Sequence, residues 1–477
     1  MTMASKQIRA TKMRVERDSM GEMKVPSDAL WGASTQRARE NFPVSGRTVP
    51  VEVVRSFGLL KAACAKANME LGKLPRTKGN AIVKVSKELA RGDHDAQFVV
   101  DVFQTGSGTS TNMNANEVIS NRCSQVAGTP IGSKKPVHPN DHVNMGQSSN
   151  DTFPTAMHVA AAVAIQDELR PAMVRLYEEL GKKAKQWDKI PKIGRTHLMD
   201  ATPIRMGQVF GGYAQQAKFA VERCDIALKA LAELAIGGTA VGTGINTHPR
   251  FGKMVAAELA ALTGVKFREA RNHPEAQAAK DGYVQVSGEL KTIAVSMSKI
   301  ANDIRWMGSG PRCGIFELSL PATQPGSSIM PGKVNPVICE SVIQVAARVV
   351  GNDTAITYGG FGGVGSILEL NVAMPMMADA LMDSIRLLAN STQMFCDRLL
   401  ADLQVNEEIA TGLISGSLMM VTSLAPVIGY DKAAAVAKQA FAEGKTIREL
   451  VLEQGLVPEK QLDKLLDPVR MTRPGKD

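Results

Sequence analysis

Between Pro274 and Gly308 the chain reads PEAQAAKDGYVQVSGELKTIAVSMSKIANDIRWMG, with apolar residues at Ala276, Ala279, Tyr283, Val286, Leu290, Ile293, Met297, Ile300, Ile304 and Met307. The steps alternate three and four without a break, which is a heptad seam on an α-helix. A proline can open such a helix, because the first-turn N–H has no partner to lose, and Gly308 lies just past its end. One rod cannot bury its own stripe, so others must lie along it.

Working outward, Thr202-Pro203 reads as an N-cap and N1 pair opening a helix that runs to Gly237-Gly238. Its face carries Met206, Val209, Phe210, Tyr213, Ala217, Ala220, Cys224, Leu228, Leu231 and Ala235. About 34 residues at ~1.5 Å each give a rod of roughly 50 Å. Less regular patterns cover 152–186 with a kink at Pro171, 337–357, and 367–400 with Pro375 inside it. Five long helices predict an all-α bundle, and sustained seams predict that bundles of different chains associate. Shorter helices are expected near 51–72, 110–127, 430–442 and 445–454. The division that follows is an N-terminal domain at 1–145, a long-helix domain at 146–400 and a small helical domain at 401–477.

Composition agrees with an all-α class. Of 477 residues, 44% are apolar but only 4% aromatic, and helical cores are readily packed with Ala, Leu, Met and Val. The six cysteines are scattered without a CxxC or Cys/His cluster, which points to thiols in a reducing compartment and to no metal site. Charges recur through the first twenty residues (Lys6, Arg9, Lys12, Arg14, Glu16, Arg17, Asp18), and no long apolar run follows. The expectation is a cytoplasmic protein with no leader and no membrane span. The net charge of +9 is dispersed, so it fits a small polyanionic ligand better than a nucleic acid.

Four polar stretches interrupt the helices. Thr105-Gly-Ser107-Gly108-Thr109 precedes a helical pattern, where free N–H groups and the helix dipole favour an anion. His138-Pro139-Asn140-Asp141 leads to Gln147-Ser148-Ser149-Asn150-Asp151 ahead of another helix; Asn and Asp there also suit simple turns and caps. Gly194-Arg195-Thr196-His197 offers an imidazole, able to move a proton near neutrality or to serve structure alone. Gln324-Pro-Gly-Ser327-Ser328-Ile-Met-Pro-Gly-Lys333-Val-Asn335-Pro336 combines hinge-like residues with two hydroxyls, one cation and the Asn335 amide beside it. It is no phosphate loop: Gly326 to Gly332 is one residue too long, and Val334 stands where magnesium would need a hydroxyl. A mobile lid with a reactive serine and an anion-binding lysine remains.

Gly326 to Pro336 resembles the signature of the fumarase/aspartase superfamily, and the other stretches, with Gly237 to Gly244, fall in that family's order. The similarity runs from about Asp18 to the end. Gly194-Arg-Thr-His197-Leu resembles class II fumarases, where aspartate ammonia-lyases carry Gln at the His position; Ser19 to Pro26 and Trp31-Gly32 also look fumarase-like. The resemblance implies a three-domain helical fold, a homotetramer with a twenty-helix core, and active sites shared between three subunits. It implies no cofactor and no metal. It assigns Ser327, His197 and Glu340 to catalysis, with Glu340 expected to hydrogen-bond the imidazole. A dicarboxylate would be held by Ser107, Gly108, Thr109, Ser148, Ser149, Asn150, Thr196, Ser328, Lys333 and Asn335. His138, Pro139, Asn140 and Asp141 match a secondary dicarboxylate site. The chain departs from the pattern at Lys135, His142, Met145-Gly146 and in 359–368.

The implied activity is reversible hydration of fumarate to malate. Ser327 takes the C3 proton, its alkoxide helped by N–H groups of the glycine-flanked loop, and His197 serves the hydroxyl. The alternatives are an aspartate ammonia-lyase on the same fold, and a crystallin-like scaffold that binds no dicarboxylate.

Overall fold

The computed structural model describes residues 12–475, so Lys6 and Arg9 of the leader argument lie outside the described residues. Among the described residues helices dominate, and the strands form only two-stranded ladders. The fold is all-α, as composition requires. No single helix among the described residues is long and apolar enough to cross a membrane.

The heptad stretch forms a helix at Asp281–Met307, and its seam residues from Tyr283 to Met307 are buried. Pro274 does not open it. A separate helix, His273–Ala278, is capped by the Asn272 side chain accepting the Glu275 N–H at 3.0 Å, and the chain then runs extended at Ala279. The other rods are Met206–Ala230, Val337–Gly360 and Met374–Phe395. Thr202-Pro203 is not a helix start; both residues lie in the strand Met199–Arg205. Proline's fixed φ and missing N–H suit a strand in a two-stranded ribbon as well as a first helical turn. Pro375 falls in the first turn of its helix rather than kinking it, because a tight hairpin, Ser366–Ile367 against Leu370–Asn371, precedes it. The bend near Pro171 is a wide turn at Ile165–Leu169, between the helices Ser149–Ala164 and Arg170–Gln186. A proline lacks an N–H and crowds the carbonyl four residues back, so the turn before it opens.

The chain divides into two compact units whose boundaries mostly fall inside these long helices. The first comprises residues through Arg170, Arg223–Thr292 and Arg348–Leu387. In it the helix Val51–Glu70 packs on Arg76–Ala90, Ser149–Ala164 and Phe251–Thr263, with Phe57 and Phe153 rings in contact at 6.0 Å. Asp353 accepts from Ser287 and Lys291, and Asp383 from Asn352 and Arg348, stitching three of the long helices together. Trp31-Gly32 leads into a short helix whose free N–H groups at Gly32, Ser34 and Thr35 all reach the buried Glu117 carboxylate.

The second unit comprises Pro171–Glu222, Ile293–Ala347 and Leu388–Asp477. It holds a small apolar cluster around Leu424, Ala440, Leu450, Val451 and Leu462, built by short helices that include Tyr430–Glu443 and Ile447–Glu453. It also holds the β-hairpin Pro191–Thr196 with Met199–Arg205 and the long irregular stretch before Val337.

Candidate active site

Three polar patches carry the residues singled out above. The first gathers two helix N-termini in the first unit. The helix Thr109–Val126 begins after Gly108, whose φ of 72° is left-handed. A side chain there would also meet the Phe153 ring at 2.0 Å, so only glycine fits. Ser107 Oγ lies 2.8 Å from Thr109 Oγ1, which lies 2.7 Å from Ser149 Oγ. Ser148 caps the Ser149–Ala164 helix through a capping box with Asp151. Asn150 donates to the Ala240 carbonyl at 2.7 Å. Hydroxyls from both stretches therefore meet within one chain, beside N–H groups that favour an anion.

Two buried charges lie beneath this patch, and the sequence reading named only Asp151, as part of a turn or cap. Lys61 is fully buried and donates to Asn112 Oδ1 at 2.8 Å, Gln147 Oε1 at 2.9 Å and Asn144 Oδ1 at 3.1 Å. Burial pushes its ammonium from an ordinary 10.5 down to about 8. Asp151, equally buried, accepts the N–H groups of Ser148, Gly237 and Thr239 and so ties the Gly237 loop to the cap. Burial pushes its carboxyl up to about 6 against those hydrogen bonds. No local pattern flags Lys61, whose partners come from distant stretches; Asp151 is marked locally as a cap partner of Ser148, but not its reach to the Gly237 loop.

Lys61→Met is expected to destabilise the protein by about 3 kcal/mol, since three amide oxygens lose their donor while one ammonium no longer pays desolvation. Chemical denaturation monitored by circular dichroism checks this; an unchanged midpoint would refute it. The pH sign is fixed by the depressed value. The unfolded chain binds more protons than the folded one between about 8 and 10.5, so this group's contribution to stability rises with pH across that window and is lost as pH falls through about 8.

The second patch is the tip of the β-hairpin in the second unit. His197 and Leu198 have φ of 57° and 63°, both left-handed, which makes a two-residue turn whose twist matches the strands. Such turns usually take Asn or Gly; two bulky residues there store strain, a feature that clusters at functional sites. Thr196 and His197 are exposed, and among the described residues no hydrogen bond engages the imidazole.

The third patch is the lid stretch of the same unit. Ser327 Oγ accepts the N–H groups of Met330 at 3.0 Å and Ile329 at 3.2 Å, the donor pair expected for stabilising an alkoxide. Asn335 donates to the Gly326 carbonyl at 2.6 Å, and Gly326 donates to the Lys333 carbonyl at 2.9 Å, pinning the loop's two ends together. A side chain at Gly326 would sit 2.4 Å from that Lys333 carbonyl. Ser327, Met330 and Lys333 line a shallow cavity of about 410 Å³, and Ser328 and Lys333 face solvent. Glu340 lies in the first turn of the Val337–Gly360 helix; among the described residues it makes no hydrogen bond to His197.

The His138 stretch stands apart from the hydroxyl patch. His138 Nδ1 accepts the N–H groups of Asn140 and Asp141 at 3.2 Å, so the ring caps its own turn, with Pro139 buried and Asn140 and Asp141 exposed. His142 accepts the His138 N–H at 2.8 Å and lies 2.8 Å from Lys78 Nζ; burial and that cation hold its pKa down. Among the described residues no group of three His, Cys, Asp or Glu side chains is arranged to hold a metal.

The chain as a whole is similar to known proteins. Residues 21–351 match the family described as "Lyase", and residues 420–473 match "Fumarase C C-terminus". The chain is 54% identical over 466 residues to the class II fumarate hydratase of Corynebacterium efficiens, covering 96% of each. It is 53% identical over 465 residues to that of Mycobacterium tuberculosis H37Rv, again covering 96% of each. Among solved structures, the class II fumarase of Schistosoma mansoni superposes with a TM-score of 0.93 at 38% identity, covering 98% of this chain and 100% of that one. A Brucella melitensis protein described as fumarate lyase:delta crystallin, bound to cobalt, gives 0.92 at 41% identity, covering 97% and 100%.

Proposed function

The chain belongs to the class II fumarate hydratase family, and from that premise we propose how its separate polar patches make one active site. It is a carbon–oxygen lyase that interconverts fumarate and malate by hydration, a step of the tricarboxylic acid cycle. The protein works as a homotetramer with a twenty-helix core, and each site draws on three subunits. Ser107, Gly108, Thr109, Ser148, Ser149 and Asn150 come from one chain, since their hydroxyls already join within it. Thr196 and His197 come from a second. Ser327, Ser328, Lys333, Asn335 and Glu340 come from a third, so that Glu340 meets the imidazole across a subunit boundary.

The observation that carries the reading is the pair of N–H groups on Ser327 Oγ. Malate's C3 hydrogen is a weak acid. Removing it needs a base whose negative form is stabilised, and a carboxylate held by fixed donors to receive the charge. Ser327 takes the proton, and His197, polarised by Glu340, protonates the departing hydroxyl; hydration runs the same steps backward. Proton transfer contributes roughly 10²–10⁴-fold. That is short of the ~8–23 kcal/mol enzymes commonly supply. The remainder falls to donors around the carboxylates, Lys333, Asn335, Ser148, Asn150 and Thr196, each worth about 3 kcal/mol when aimed at developing charge.

The three-part division at 1–145, 146–400 and 401–477 belongs to the same proposal, with the His138–Asp141 turn as a secondary dicarboxylate site. A cytoplasmic setting is supported by six unpaired cysteines, five of them buried. The direct test follows the ultraviolet absorbance of fumarate when the purified protein receives malate or aspartate. Signal from malate supports the reading; signal from aspartate alone would replace it with an ammonia-lyase.

A further inference from the structure

Glu317 lies outside all four polar stretches, yet it is 0% exposed. Its two carboxylate oxygens face two cations of the His197 hairpin. Oε1 accepts from Arg195 Nη1 at 2.8 Å, and Oε2 lies 3.1 Å from Lys192 Nζ. Both cations stand on the strand Pro191–Thr196, and Arg195 directly precedes Thr196-His197. Lys192 is itself buried and, among the described residues, otherwise donates only to the Ile193 carbonyl at 2.7 Å.

The backbone around Glu317 is equally fixed. Its carbonyl accepts the Asn406 N–H at 2.9 Å, and Asn406 Nδ2 donates to the Phe316 carbonyl at 2.8 Å. Leu318–Ser319 then pairs antiparallel with Gln404–Val405. From this anchored root the chain enters the stretch that carries Ser327. One carboxylate thus joins the first strand of the His197 hairpin, from Lys192 near its base to Arg195 near its tip, to the root of the lid.

Among the described residues the hairpin tip makes no hydrogen bond through its imidazole, so its placement must come from the strands behind it. A reacting group needs to be held within about 0.5 Å by partners that are themselves locked. A buried carboxylate between a buried lysine and a partly buried arginine does this better than packing alone, because its neighbours cannot leave without stranding a charge. We propose that Glu317 is a positioning residue for the hydration reaction, orienting the His197 hairpin by clamping Lys192 and Arg195 to the lid root. The proposal rests on the catalytic reading of His197.

The test is steady-state kinetics of Glu317→Gln, Glu317→Asp, Arg195→Gln and the Arg195→Gln/Glu317→Gln double variant, with His197→Asn as reference. Circular dichroism and sedimentation are run on each. Misplacing a reacting group by about 1 Å costs on the order of 10²-fold. Glu317→Gln is therefore expected to lose about 10–100-fold in kcat with KM changed by less than about threefold. Glu317→Asp should recover most of the loss, and the double variant should be no slower than the slower single, because the two residues act through one contact. Wild-type kcat in a folded Glu317→Gln protein overturns the proposal. So does a loss that tracks the folded fraction and is shared equally by Glu317→Asp, since that is a purely structural role. A fully active His197→Asn enzyme would bring down the catalytic reading and this proposal together, whereas an inactive His197→Asn beside a fully active Glu317→Gln removes this proposal alone.

Discussion

Ser327→Ala is expected to lower kcat about 10³-fold while leaving the protein folded and assembled. The hydroxyl is half-buried in an open loop, and among the described residues its only partners are the N–H groups of Ile329 and Met330. Both donors can turn to water when it is removed, so little stability is at stake. The loop is pinned elsewhere, by Asn335 on the Gly326 carbonyl and Gly326 on the Lys333 carbonyl, and keeps its path. In the proposed site the substrate's carboxylates fall to groups other than Ser327, so KM should move only a few-fold, which separates a lost base from a lost binding contact. Stopped-flow or steady-state absorbance in both directions reads kcat. Hydrogen exchange at C3 of malate in deuterated water reads the proton transfer alone and should vanish. Full activity in a folded Ser327→Ala protein removes the base assignment.

His197→Asn is expected to cost about 10²–10³-fold in kcat. Asparagine suits this position because a φ of 57° is left-handed, and Asn tolerates that region better than other side chains with a Cβ. The exposed imidazole has no hydrogen-bond partner among the described residues, so the fold should not notice its loss. The two variants are distinguished by exchange. With Ser327 intact, His197→Asn should still exchange the C3 hydrogen while failing to release or add the hydroxyl. If exchange at C3 collapses as fully as turnover, the division of labour between the two residues is wrong.

How much of this was legible in the sequence depended on how local each signal was. The seam from Tyr283 to Met307 was read correctly because helical periodicity is written in consecutive residues, and all its seam positions are buried. The helix start at Thr202-Pro203 was misread, since the same pair fits a strand in a two-stranded ribbon. The His197-Leu198 turn was invisible for a related reason: left-handed turns announce themselves through Gly or Asn, and neither is there. The hydroxyl cluster was half legible. Ser107, Thr109 and Ser149 could each be named, but their meeting within one chain needed coordinates.

Buried charges were the hardest to see. Lys61 finds its partners 51, 83 and 86 residues away, and Arg195 reaches Glu317 across 122. A charged residue in a sequence reads as solvated until something distant covers it. Lys61 and Glu317 therefore had no signal short of the fold itself, although each shapes the ground on which a named site residue stands.

The central claim is that one chain does not hold a whole active site. Mixing His197→Asn and Ser327→Ala subunits, dissociating them and letting them reassociate tests it most directly. If the imidazole and the serine of each site come from different chains, random reassembly rebuilds intact sites and restores about a quarter of wild-type activity from two inactive parents. Activity that stays at the level of the parents, in hybrids shown by mass spectrometry to contain both chains, would mean that His197 and Ser327 act from the same subunit, and the shared-site account would be wrong.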